Sequence, residues 1–370
     1  MADEQTGGKG IDRRALLLAA GTTATVAAAP KAMAAAGQAR IDAHTHFTPL
    51  KFLDMAEKIE GRPFALHKLI NSLPALTDVR VRMEMLDRNH IDLQVLVPVP
   101  WIEGFPKLYA DPKASAEAAR LVNDELAAVI ATHPKRFRGV AILPVSNQEA
   151  MVAELHRCVK QLGFLGAYIA VGPTTRHLDD PHFEPLYQAI TELDATLWLH
   201  PSRPPTVSEY VDEKLSKYRQ WDLVGWPYDS TSAMFRVVFS GVFDRHPGIR
   251  IVVHHHGAFI PLLAPRLNNL FMADEALEPM ETEVKPPFIQ HFKKFYCDTA
   301  ASGIAPKALE LAVDFFGPER VLFGTDAPFG PKNGQVFVEE TLRSIDMMAV
   351  TPQVRTAILS GNAKRILKLG

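Results

Sequence analysis

Eight short runs of β-branched and apolar residues, each followed by a segment of helical periodicity, constrain this chain more than any other feature. The runs are ARIDAHTHF (39–47), LQVLVPVP (93–100), FRGVAILP (137–144), GAYIAVG (166–172), TLWLHPS (196–202), IRIVVHHHG (249–257), FYCDTA (295–300) and VLFGTDAP (321–328). Between them, stretches such as ASAEAARLVNDELAAVIATH and NQEAMVAELHRCVKQL repeat apolar residues at helical spacing. Strands separated by helices pair in parallel, because a parallel pair needs a long crossover. Eight such units predict an α/β fold of the (β/α)8 barrel type. An open doubly wound sheet also alternates, but no glycine-rich phosphate loop follows the first run. The rhythm is interrupted after the first run, by residues 48–92, and after the fifth, by RPPTVSEYVDEKLSKYRQWDLVGWPYDS. In a barrel such insertions lie over the C-terminal mouth, where sites are built.

The barrel is expected over residues 39–370, and residues 1–38 stand apart from it. There, Arg13 and Arg14 precede a modest apolar stretch and the small-residue sequence AMA at 32–34. That is the layout of a secretory signal for the twin-arginine export machinery, with cleavage before Ala35. It implies a periplasmic or secreted protein; an Ala-rich tail with no export role would leave the chain cytoplasmic. The apolar stretch is too short and too diluted by Thr and Gly for a stable membrane span. Apolar residues make up 47% of the chain, enough for a large core. A formal net charge of −2, with no Lys/Arg run longer than two residues, argues against nucleic acid or an anionic membrane surface as partner. Cys158 and Cys297 are the only cysteines, so neither a thiolate cluster nor a disulfide framework is available. Any bound metal is held by nitrogen and oxygen.

The polar residues fall at the C-terminal ends of the predicted strands. His44 and His46 are two apart and share a strand face. His200 ends the fifth run, His254, His255 and His256 the sixth, and Asp326 the eighth. Singly, each has a bland reading: an incidental His pair, a half-buried histidine before Pro201, a common loop sequence. Jointly, they form a shell for one divalent ion, Zn²⁺, Mn²⁺ or Fe²⁺, with Zn²⁺ preferred and Mn²⁺ next, leaving a position for water or substrate.

The segments DAHTHF, WLHPSR, SGVFDRHPGIRIVVHHHGAFIP and VLFGTDAPF resemble the amidohydrolase superfamily, and within it the decarboxylase branch of the aminocarboxymuconate semialdehyde and γ-resorcylate decarboxylases. The resemblance implies that His44, His46, His200 and Asp326 are metal ligands, with Asp326 also sharing in proton transfer. Its His-any-Gly motif, with a proline six residues after the histidine, selects His255 as the catalytic acid–base, with Gly257 and Pro261. His254 and His256 are then expected to pack outward or to bond to backbone. Dinuclear members carry a bridging lysine on the fourth strand; FLGAYIAVG has none, which implies one ion. Arg266 matches an arginine that reaches a neighbouring subunit's substrate carboxylate, implying a homodimer or higher homo-oligomer; as a helix-surface residue it implies nothing.

Arg203, three residues after His200, is a second candidate anion handle or a loop-packing residue. Trp226, with Trp221 and Tyr228, either walls an aromatic pocket or anchors the insertion to the rim. Asp298 orients a ligand or caps its strand. The leading function is metal-dependent, non-oxidative decarboxylation of an aromatic or unsaturated carboxylic acid, a small molecule. A metal-dependent hydrolase of a lactone, amide or activated C–C bond is the second reading, and a non-catalytic metal or ligand binder the third.

Overall fold

The computed structural model describes residues 38–64, 67–273 and 282–369. The signal reading of residues 1–34 therefore falls outside the described residues. Among the described residues nine strands follow one another: β1 (Ile41–Phe47), β2 (Leu93–Pro98), β3 (Phe137–Gly139), β4 (Ala141–Ile142), β5 (Gly166–Val171), β6 (Thr196–Pro201), β7 (Arg250–Val253), β8 (Tyr296–Asp298) and β9 (Val321–Leu322). Every pairing between neighbours is parallel. Strands buried on both faces explain why the runs read as almost continuous apolar sequence rather than as alternation.

The third predicted strand is split in two. Val140 separates β3, which pairs with β2, from β4, which pairs with β5. The break does not open the barrel, because the Val140 amide donates to the Leu96 carbonyl and the Leu165 amide to that of Gly139. At the other seam the Ala43 amide donates to the Phe323 carbonyl (2.8 Å) and that of His46 to Ala327 (2.7 Å). The parallel sheet thus closes on itself as the (β/α)8 barrel. Helix starts are set by ordinary caps: Asp111 accepts the amides of Lys113 and Ala114 before Pro112–Thr132, and Asn147 that of Ala150 before Gln148–Lys160.

The register explains where the polar side chains go. Ile142, Tyr168, Trp198, Val252 and Tyr296 are successive cross-strand partners and belong to one buried cluster inside the sheet. Two residues further along stand Ala170, His200 and Asp298 on the same face of their strands, and His254 just past the end of β7. An apolar layer therefore floors a polar one at the C-terminal end. The stretch after β1 is filled by the helices Leu50–Glu60, His67–Ser72 and Val79–Arg88. After β6 the chain runs through residues 202–219 without a helix or strand before Gln220–Leu223 and Gly225–Phe239.

Candidate metal centre

The side chains of His44, His46, His200 and Asp326 are buried, and one ligand atom from each lies within 4.8 Å of all the others. His44 Nε2 is 3.2 Å from His46 Nε2, and Asp326 Oδ1 lies 3.0 Å from His46 Nε2 and 3.5 Å from His44 Nε2. Donors bound at about 2.1 Å to one ion, at angles between octahedral and tetrahedral, stand roughly 3.0–3.4 Å apart. The spacing fits one ion. His200 supplies a second test: its Nδ1 lies 2.7 Å from the Pro201 carbonyl, while its Nε2 is buried without a hydrogen-bond partner. Donation from Nδ1 leaves the Nε2 lone pair for a cation.

The electrostatics agree with that chemistry. Burial, together with the neighbouring His254, holds His44 down at about 3, and burial among the other histidines holds His200 well below its ordinary value. Burial alone would raise Asp326, but the hydrogen bond to His46 and the charges of His44 and His46 outweigh it and bring it down to about 2. Neutral imidazoles and an ionised carboxylate are the forms a divalent cation binds.

Asp298 organises the layer beneath. One of its oxygens, Oδ2, lies 3.0 Å from His44 Nδ1 and bonds to His254 Nδ1, and the other accepts the amides of His255 (3.1 Å) and Ala300 (3.0 Å). Burial pushes the Asp298 carboxyl up, and His44 and His254 more than reverse it, leaving it well below the usual carboxylate range. A carboxylate on Nδ1 fixes the tautomer that leaves Nε2 free for ligation. Gly324 permits this close approach, since a Cβ there would stand 2.8 Å from the His44 Cβ and 2.9 Å from that of Asp298.

The His254–His256 triplet, which follows β7, corrects one expectation. His254 does not pack outward: it is fully buried, its ring stacked on His44 at 3.5 Å between centroids. Strand alternation puts it on the inner face, two residues beyond Val252. Alternation cannot then decide between His255 and His256, because β7 ends at Val253 and both residues have left-handed backbone (φ 58 and 60). That turn, a conformation that L-residues seldom adopt, swings the His255 ring to 5.3 Å from His44 and 5.8 Å from His200. His255 Nδ1 lies 3.3 Å from the Ala300 carbonyl, and its Nε2 is buried and unpartnered. His256 bonds through Nε2 to the Thr299 carbonyl at 3.2 Å, as expected of it.

The candidate substrate contacts fare differently. The Arg203 guanidinium is forked onto Asp229 (3.0 and 2.7 Å), a carboxylate with a nearly buried side chain, so its charge is already matched. Trp226 donates from Nε1 to the Arg203 carbonyl and stands with its ring 6.0 Å from His200, anchoring the insertion and facing the cluster at once. Arg266 is exposed on the helix Ile260–Ala273. Three buried residues escaped the sequence reading: Asp42, Gln94 and Arg82. Asp42 accepts from the backbone amide and hydroxyl of Thr325 and from Gln94 Nε2. Arg82 donates to Gln94 Oε1 (3.0 Å), to the Ala75 carbonyl (3.0 Å) and to the His46 carbonyl. A glutamine inside the apolar run LQVLVP was the available signal.

Comparison with known proteins gives the same frame. The amidohydrolase family model, Amidohydro_2, matches residues 41–369. The chain is 29% identical over 351 residues to 2-amino-3-carboxymuconate-6-semialdehyde decarboxylase of Dictyostelium discoideum, covering 89% of this chain and 92% of that protein. It is 29% identical to γ-resorcylate decarboxylase of Rhodococcus jostii, covering 80% and 89% of the two chains. The solved structure of a 2,6-dihydroxybenzoate decarboxylase with 2,6-dihydroxybenzoate superposes with a TM-score of 0.75 at 26% identity, covering 90% of this chain and all of that one. A family match over the whole barrel, from the first residue of β1 to the last described helix, places this chain in the amidohydrolase family.

Proposed function

We propose that this protein is a metal-dependent, non-oxidative decarboxylase of an aromatic or unsaturated carboxylic acid. The observation that carries the reading is His255 Nε2, buried and unpartnered beside four converging donors that suit one divalent ion. The decarboxylases matched over most of both chains favour carboxy-lyase chemistry over hydrolysis. His44, His46, His200 and Asp326 hold the ion, and zinc is the metal we assign, since imidazole-rich sets with one carboxylate suit it. When bound, the ion supplies a positive centre for the substrate carboxylate or an adjacent oxygen.

The remaining work belongs to the protein. Asp298 keeps His44 in one tautomer and, through the His255 amide, holds the turn that aims the His255 ring. His255 delivers a proton to the carbon that CO₂ leaves, with Nδ1 anchored at the Ala300 carbonyl. Trp226 and Trp101, rings 6.0 and 5.1 Å from His200, limit water around the reacting ring. CO₂ release from hydroxybenzoates and carboxymuconate-like acids, measured with metal added and with metal removed, tests the activity. Hydrolysis of a lactone or amide panel with no CO₂ from any acid would move the protein to the hydrolase reading. His200→Ala is expected to leave well under one metal per chain by elemental analysis, and full occupancy would refute the ligand assignment. The same analysis reads zinc against manganese.

Two further parts of the proposal concern the protein's setting. No helix among the described residues is long and apolar enough to cross a membrane. We assign residues 1–34 as a twin-arginine signal; replacing Arg13 and Arg14 by Lys should retain the protein in the cytoplasmic fraction, and unchanged export would refute it. A homodimer is proposed on the exposed Arg266, and sedimentation as a monomer would remove that role.

A further inference from the structure

Arg203 is held from four sides, and all four contacts come from the start of the helix Gly225–Phe239. Its guanidinium is forked onto Asp229, Nε at 3.0 Å and Nη2 at 2.7 Å, with both side chains nearly buried. Its carbonyl accepts the indole N–H of Trp226 at 3.1 Å. Its stem fills a notch at Gly225, where a Cβ would stand 2.5 Å from Arg203 Cδ and 2.8 Å from Nε. Its charge lies 6.0 Å from the centre of the Tyr228 ring. Gly225, Tyr228 and Asp229 are spaced i, i+3, i+4 and so share one helix face. Gly172, just beyond β5, closes the cage, since a Cβ there would stand 3.3 Å from the Arg203 amide nitrogen and 3.5 Å from Asp229 Oδ2. The cage is placed between two parts of the site: His200 lies three residues before Arg203, and the Trp226 ring stands 6.0 Å from that of His200.

We propose that the Arg203–Asp229 pair is a clamp that fixes the Trp226 ring against the metal centre, with Asp229 as a positioning residue for the reaction. The Trp226 indole is tied to a carbonyl in residues 202–219, a stretch without helix or strand of its own. A carbonyl there is an anchor only if its residue is itself held. The fork holds it, because a planar guanidinium on a planar carboxylate fixes orientation as well as distance. A pair serving the scaffold alone could sit anywhere along the helix. This one brackets the residue whose ring faces His200. The inference rests on the decarboxylase reading for the reaction that Trp226 serves; the placement of the ring stands apart from it.

The test uses the zinc-loaded, full-length protein. Trp221 and Trp226 lie edge to face at 5.3 Å, close enough for their transitions to couple, so the circular-dichroism signal lost in Trp226→Phe reports that pair. Asp229→Asn turns an amide donor towards the guanidinium and should lose most of the pair signal. Asp229→Glu, which keeps the charge and both acceptors, should retain more of it. Metal content should stay near one ion per chain, since neither Arg203 nor Asp229 is among the four gathered donors. CO₂ release is followed with whichever hydroxybenzoate or carboxymuconate-like acid is turned over fastest. There Asp229→Asn is expected to lower kcat/KM about 10–100-fold, the scale of a misplacement of roughly 1 Å. Combining it with Trp226→Phe should do no more harm than the poorer single change, because both act at one ring, whereas independent effects multiply. Multiplying losses or an intact pair signal in Asp229→Asn overturns the clamp. So does metal loss in that variant, which would route the effect through His200. If Asp229→Asn does not fold, Arg203→Lys decides by the same readings, since it keeps the charge and loses the fork. The spectra need no turnover: a lost pair signal with no CO₂ from any acid keeps the clamp and rejects decarboxylation.

Discussion

Replacing His255 by Asn is expected to lower kcat for CO₂ release by about 10²–10⁴-fold, the range that positioned acid–base groups contribute. Metal content should remain near one ion per chain. Both halves follow from the position of the ring. Its Nε2 is enclosed and unpartnered beside the cluster, yet His255 is not among the four residues whose donor atoms gather within 4.8 Å. Asn keeps a polar group of similar reach and can bond to the Ala300 carbonyl, but it cannot carry a proton to carbon. It also tolerates the left-handed backbone that His255 adopts (φ 58), so the turn should persist. Metal loss in this variant would make His255 a ligand and displace the assignment of His44, His46, His200 and Asp326. Unchanged kcat with unchanged metal would assign the proton transfer elsewhere. His254→Asn separates the neighbours: its loss should disturb Asp298 and the stacked His44, and so appear first in metal affinity.

The barrel was legible because both of its periodicities are in the sequence: short apolar runs for strands buried on two faces, and helical spacing between them. Strand ends were legible for the same reason, and they put His44, His46, His200 and Asp326 at one end of the barrel. The triplet His254–His256 was not resolved that way. Alternation holds only while a strand lasts, and β7 stops at Val253, so the side-chain directions beyond His254 are set by positive φ angles that no pattern of hydrophobicity encodes. Arg203 stayed open between two readings for a different reason. Its charge suggested an anion handle, and the partner that uses that charge, Asp229, lies 26 residues away on the next barrel helix. Arg82 and Tyr168 were invisible because a charged or phenolic residue in a sequence carries no mark of being buried.

Arg82 is the second position where a single change should have a large effect, and it connects stability to the metal centre. Its side chain is fully buried and donates to three acceptors: the carbonyls of Ala75 and His46 and Oε1 of Gln94. Gln94 passes the contact to Asp42, which in turn binds Thr325, one residue before Asp326. The guanidinium therefore braces both ends of the seam between β1 and the segment after β9. Burial pulls its pKa down, partly offset by Asp42, to about 9, so the group stays charged at neutral pH. Arg82→Met keeps much of the volume but strands those three acceptors next to Asp42, a buried carboxyl that burial raises to about 7. Breaking a buried charged network from one side costs about 3–5 kcal/mol. For a domain of this size, with an unfolding entropy of about 0.7 kcal/mol/K, that corresponds to a fall in Tm of roughly 4–7 °C. Because the His46 carbonyl loses its anchor, metal affinity should drop as well, by about 10–100-fold, the scale on which groups supporting a ligand act. Melting the metal-free and metal-loaded forms separates the two effects. Added metal should raise Tm less in Arg82→Met than in the parent at equal concentration, because ligand stabilisation scales with affinity. An equal gain would confine Arg82 to the scaffold, whereas a reduced gain makes it the residue through which the fold holds the first strand's histidines in place.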